Sequence, residues 1–189
     1  MAEIGNQDVS KKAGILGGDL KDEVLTFAFF NQRINFSKDG FNLVNGDTPT
    51  VAVKLALCRY LSMCPDKIME GSNRLITIRE LSDSGPLFSS FTANTNKIIE
   101  SAFAGKLELL RSRCLQLGGT DTEMPSFDLS MQFMALPRIP IVLNFNDRDD
   151  LMPATANFLY HDDATRYLDI ECLMITCTYL TGQLIQGAL

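Results

Sequence analysis

Three strand-length apolar runs in the second half of the chain, 127–134, 139–145 and 155–160, constrain the fold more than any other feature. Phe127, Leu129, Met131 and Phe133 recur with period two, which puts them on one face of a strand. The spacers 135–138 and 146–154 are shorter than the crossover a parallel pair requires, so an antiparallel meander is predicted.

Helical periodicity surrounds this block. Thr48 ahead of Pro49 reads as a helix start, and Val53, Leu55, Ala56, Tyr60 and Leu61 carry a helix over 49–63 that Pro65 prevents from continuing. Stretch 73–81 reads as a short helical turn or a strand, with Thr77 and Glu80 at capping-box spacing. Asn94 or Thr95 caps a long helix bearing Ile98, Ile99, Ala102, Phe103, Leu107, Leu110, Cys114 and Leu117, bent at Gly105 and ended by Gly118-Gly119. Asp162 or Asp163 caps a final helix over 164–186. Its Leu173, Cys177, Leu180 and Leu184 stripe is widened by Ile170, Met174 and Ile175, so it is either central or covered by a second subunit in a homodimer.

Upstream, alternation on both sides of Asp39-Gly40 signals a hairpin of two short strands within 24–44, although 25–30 also fits the end of a helix. Residues 1–18, with Gly14, Gly17 and Gly18 and no sustained period, read as a flexible N-terminal arm. The expectation is one α+β domain over 19–189: an antiparallel or mixed sheet with an antiparallel C-terminal meander, packed against three main helices.

Composition narrows the function classes. Hydrophobic residues at 46% and twelve Phe supply a core without disulfide staples. The balance of 23 acids against 17 Lys and Arg leaves −6, which lacks the basic footprint of a nucleic-acid binder. The uncharged stretch 172–189 is interrupted by Thr, Gln and Gly and fits a buried helix better than a bilayer span. The first residues show no basic region leading into an apolar one, so a cytoplasmic location is expected. Cys58 and Cys64, and Cys172 and Cys177, lack Cys-x-x-Cys spacing, and with Cys114 they read as packing residues.

Charge is concentrated between 147 and 171, where Asp147, Asp149, Asp150, Asp162, Asp163, Asp169 and Glu171 face only Arg148 and Arg166. Such a cluster suggests a hard-cation site or an acidic docking face, but the spacing is not that of an EF-hand loop. A straight strand over 155–160 would hold 147–150 and 161–163 roughly 20 Å apart, so the two groups would not share one small ion. They read equally as a solvated hairpin loop and a helix cap. His161 is the one histidine, which rules out multi-histidine metal sites. Beside Asp162 and Asp163 it is a candidate acid or base. Meander topology puts Arg138 at the same sheet end, either clamping the start of the last helix or completing a polar site with His161. The Gly-containing stretches 14–18 and 45–49 have no phosphate-loop pattern, and Asp47 would oppose a phosphate.

Leu136-Pro-Arg-Ile-Pro140, running into Ile141-Val-Leu-Asn-Phe-Asn-Asp-Arg-Asp-Asp150, precedes Tyr167-Leu168 and Glu171; upstream stand Arg79-Glu80-Leu81 and Gly118-Gly119. Over roughly 20–185 this pattern resembles an uncharacterised family, domain of unknown function 3786, of anaerobic bacteria and archaea. The resemblance implies stand-alone domains of this size, some joined to iron–sulphur domains, and a setting in anaerobic redox or one-carbon metabolism. It transfers no active-site residues.

Together these readings favour a cytoplasmic binding or accessory domain that presents a pocket or an acidic face to a protein partner or small cofactor, with Arg138, Asp147, Asp149 and Asp150 as its binding candidates. The alternative is a small metal-assisted or acid/base enzyme using His161 with Asp162 and Asp163. A dimerisation module is third. The sequence specifies no particular cofactor or metal.

Overall fold

The computed structural model describes residues 6–186 except 69–70, 72–73 and 82–84. The fold is α+β, with two antiparallel sheets and helices against them. The first sheet is a meander of β1 (Asp19–Lys21), β2 (Val24–Phe29), β3 (Gln32–Ser37) and β4 (Gly40–Leu43). Segment 25–30 is therefore mostly strand and not the end of a helix. The β3–β4 turn is made by Lys38 and Asp39, one residue earlier than the expected Asp39-Gly40 pair, and Gly40 opens β4 opposite Ser37 with a φ of 97° that a side chain would oppose. Strand β1 escapes the pattern because its three residues are all exposed. Its hairpin turn uses Asp22 and Glu23, both at positive φ, a conformation usually signalled by Asn-Gly or Asp-Gly.

The second sheet is ordered β5-β9-β8-β7-β6, from β5 (Leu75–Thr77), β6 (Thr120–Asp121), β7 (Leu129–Leu136), β8 (Ile139–Asn146) and β9 (Thr155–His161). The three expected strands form the antiparallel meander, with Ile141 opposite Phe133 on one side and Tyr160 on the other. Strand β7 starts two residues late and ends at Leu136, with an irregularity between Met134 and Leu136. Met131, Phe133, Ile141, Leu143, Phe145, Phe158 and Tyr160 face the core and are almost fully buried, each large apolar side chain contributing on the order of 1.5–3 kcal/mol.

Helix α2 (Val51–Ser62) begins later than its sequence suggested. Thr50 is its cap, the hydroxyl accepting from Val53 N, and Pro49 lies outside the helix. Of the stretch 73–81, residue 73 lies outside the described residues and the rest realises both alternatives, with β5 leading into a single 3₁₀ turn at Ile78–Glu80. The expected long helix is broken, not bent: α4 (Asn96–Phe103) and α5 (Leu107–Gln116) meet at Gly105, whose φ is 76°. An additional helix, α3 (Gly85–Asn94), precedes them. The end of α5 is as read, because Gly118 at φ 82° lets Gly119 N donate back to Cys114 O.

Helix α6 (Ile170–Ile185) packs against α2, α3, α4 and α5, and seven of its residues are buried. Its Leu173, Cys177, Leu180 and Leu184 stripe is buried within one chain, whereas Ile170, Met174 and Ile175, which widen the apolar face, are half-buried. Neither Asp162 nor Asp163 caps it. Asp163 precedes a 3₁₀ turn at Ala164–Arg166, and Asp169 accepts from Cys172 N at 2.9 Å as the actual cap.

The stretch read as a flexible arm contains a docked helix, α1 (Asn6–Leu16), with Ala13 and Leu16 buried. Gly14 lies within the helix, and Gly17 and Gly18 end it. Gly17 sits at φ 71° and Gly18 N donates to Ala13 O, while a Cβ on Gly17 would collide with Pro137 in the β7–β8 turn. Tyr60 on α2 joins these pieces: its hydroxyl donates to Leu16 O at 2.9 Å and accepts from Arg138 N at 3.1 Å. Phe30, a bulky residue at φ 52°, is held in that uncommon conformation by its N–H bond to Ala135 O and by stacking on Tyr179. One contiguous set of buried side chains draws on both sheets and all six helices.

Candidate functional site

Where β9 leaves the sheet, a cleft of about 550 Å³ opens between the β5 edge, its 3₁₀ turn and the start of α6. Met63, Ile76, Leu81 and Ile170 form its apolar walls. Its polar lining is Arg74, Glu80, Asp162, Thr165 and Asp169. Asp162 reaches the cleft because its N–H donates to Arg74 O at 3.0 Å, extending the β5–β9 ladder by one step.

Each remaining charge is held in place. Glu80 accepts from Thr77 N at 2.8 Å, completing the capping box, and pairs with Arg74 at 3.0 Å. The Thr77 N–H bond is the main reason the Glu80 carboxyl titrates below its usual range. Asp169 pairs with Arg59 of α2 at 2.5 Å while capping α6. Desolvation pushes its pKa up, but the Cys172 N–H and the Arg59 guanidinium outweigh it and leave it lowered. Glu80 and Asp169 are thus held as carboxylates, each against a guanidinium.

Burial disfavours the thiolate form of three cysteines. Burial raises Cys172 to about 12, with Asp169 adding to the shift, and burial likewise raises Cys114 and Cys177 to about 12. These three pack as expected. Cys58 is exposed on α2, and Cys64 lies beyond the helix end, half-buried.

The proposed trio of His161, Asp162 and Asp163 does not converge on the cleft. His161 ends β9 opposite Leu75, and successive residues of a strand point to opposite faces, which separates His161 from Asp162. Asp162 alone lines the cleft, and the Asp163 carboxylate packs on Gly71, leaving no room for a side chain there. Arg138 lies at the correct sheet end but serves another helix: its guanidinium donates to Ile15 O at 2.8 Å and Gly14 O at 3.2 Å, at the end of α1. It is a clamp on the first helix, not on the last.

The other acidic cluster sits at the opposite end of β9, where Asn146 pairs with Thr155. Asp147 there accepts from Gly105 N at 2.6 Å and pins the β8–β9 loop to the break between α4 and α5. Asp149 accepts from Leu151 N and Met152 N, both at 2.7 Å, which lowers its pKa and closes the loop on itself. Asp150 is exposed. Among the described residues, no three His, Cys, Asp or Glu side chains are grouped so as to hold a metal ion. The described helices include none long and apolar enough to cross a membrane.

A family model matches residues 8–183, a span that includes every strand and both walls of the cleft. The chain belongs to the family described as Domain of unknown function (DUF3786). No curated protein and no solved structure shows significant similarity to it. Within this DUF3786 chain, the polar cleft residues not read as site residues in the sequence are Arg74, Glu80 and Thr165, and Asp169 entered only as one member of the acidic window. Two had a visible signal: Glu80 stands at capping-box spacing, and Asp169 stands three residues before Cys172 at the head of an apolar run. Arg74 and Thr165 had none, because the β5–β9 pairing that unites them joins segments more than eighty residues apart.

Proposed function

We propose that this DUF3786 protein is a binding or accessory domain whose cleft takes a small cationic or amine-bearing molecule. The observation that carries the reading is the charge of the cleft: Glu80, Asp162 and Asp169 against Arg74 in the lining and Arg59 behind Asp169, an excess of one acid between apolar walls. Partial enclosure by Met63, Ile76, Leu81 and Ile170 strengthens charge-assisted hydrogen bonds from an ammonium group relative to an open surface. A cytoplasmic setting in anaerobic redox or one-carbon metabolism is carried over from the sequence reading and the family resemblance.

The test is calorimetric titration with putrescine and agmatine, with succinate as the anionic control. Either amine should bind saturably, and Asp162→Asn should weaken it by tenfold or more while leaving the unfolding midpoint near that of the parent. Absence of amine binding, or binding indifferent to Asp162→Asn, refutes the assignment.

A further inference from the structure

Between α3 and α6 lies a second concavity of about 440 Å³ that shares no lining residue with the cleft. Leu87 and Phe91 of α3 face Met174, Ile175 and Ile185 of α6 across it. We propose that this groove is a ligand site for an uncharged, elongated apolar molecule with one hydrogen-bonding group, which meets the Thr181 hydroxyl.

Thr181 lines the groove and is only 1% exposed, and its hydroxyl has no hydrogen-bond partner among the described residues. Two other threonines of the same helix show what a hydroxyl there does when nothing else is offered. Thr176 donates to Leu173 O at 2.7 Å and Thr178 to Met174 O at 2.9 Å, both folding back on the helix. Thr181 does not, so a buried polar group stands unsatisfied beside an apolar concavity, a configuration that a bound donor or acceptor would relieve.

Gly182 lines the same groove beside Thr181. Glycine is disfavoured inside a helix, its backbone here is not left-handed, and a Cβ added to it would meet no atom within 4 Å. Neither backbone conformation nor packing requires glycine at 182, and a large side chain there would extend into the groove. Charge selects among apolar ligands. Glu171 is the one ionisable lining residue and would repel a carboxylate, so a long-chain alcohol is favoured over the corresponding acid.

The experiment titrates the full chain with 1-octanol and, separately, octanoate, followed by calorimetry and by methyl shifts of Met174 and Ile175. Wild-type protein should bind 1-octanol saturably and at least tenfold more tightly than octanoate. Thr181→Val, which keeps the shape and removes the hydroxyl, should weaken octanol by about tenfold without lowering the unfolding midpoint. Gly182→Leu should abolish binding in a protein that still unfolds cooperatively. The proposal is overturned if wild type shows no saturable octanol binding, if Thr181→Val binds octanol unchanged, or if folded Gly182→Leu binds it as wild type does.

Discussion

Replacing Tyr60 with Phe isolates a single hydroxyl that ties together three distant parts of the chain. The ring is fully buried and lies 6.1 Å from Phe27, so Phe preserves its packing. What is lost is the bond to Leu16 O and the one from Arg138 N. Leu16 is fully buried, and stranding its carbonyl costs about 1–3 kcal/mol; the half-exposed Arg138 N–H, which water can reach, adds about 0.5–1 kcal/mol. A destabilisation of about 3 kcal/mol is expected, and for a chain of this size that corresponds to roughly 6–12 °C in Tm. Urea denaturation measures the total, and amide exchange locates it, with protection lost first in α1. Arg138→Met should cost less, because part of its interaction is exposed. A Tyr60→Phe loss below about 0.5 kcal/mol, or α1 amides as protected as in the parent, would refute the claim that this hydroxyl docks the N-terminal helix.

Gly105→Ala should destabilise by about 1–2 kcal/mol, since φ at 76° disfavours any side chain and the new Cβ would press on the Arg148 guanidinium; equilibrium denaturation decides it. Asp169→Ala should cost about 1 kcal/mol through the lost cap. Because the Asp169 pKa is lowered on folding, its contribution is present in full above the ordinary carboxylate value and fades as pH falls through the lower folded value. The gap between parent and Asp169→Ala should therefore be largest near neutrality and close as pH falls below the ordinary carboxylate range, a trend read from denaturation at several pH values. With a disulfide reagent at neutral pH, Cys58 should react at once and Cys64 more slowly, while Cys114, Cys172 and Cys177 stay protected until unfolding. Rapid reaction of three or more thiols in the folded protein would contradict their burial.

Local patterns determined the parts of this structure whose cause is local. Period-two alternation in 127–134 and the two strand-length runs that follow it were legible as the meander, and the apolar breadth of 170–185 marked a helix that is either central or covered by a second subunit. The Thr77–Glu80 capping box and the Gly118-Gly119 stop act within a few residues and were visible for that reason. Tertiary structure alone decided the rest. Glycines at 14, 17 and 18 read as slack until Gly17 is seen against Pro137, because a left-handed helix end and a flexible tail share one composition. His161 and Asp162 are neighbours in sequence but, at the end of a strand, they point apart. Arg74 and Asp162 are distant in sequence, yet one backbone hydrogen bond joins them and places both on the cleft. A site formed by strand pairing and helix docking depends on contacts between segments that no periodicity encodes, and for that reason the cleft and the groove appear only once the chain is folded.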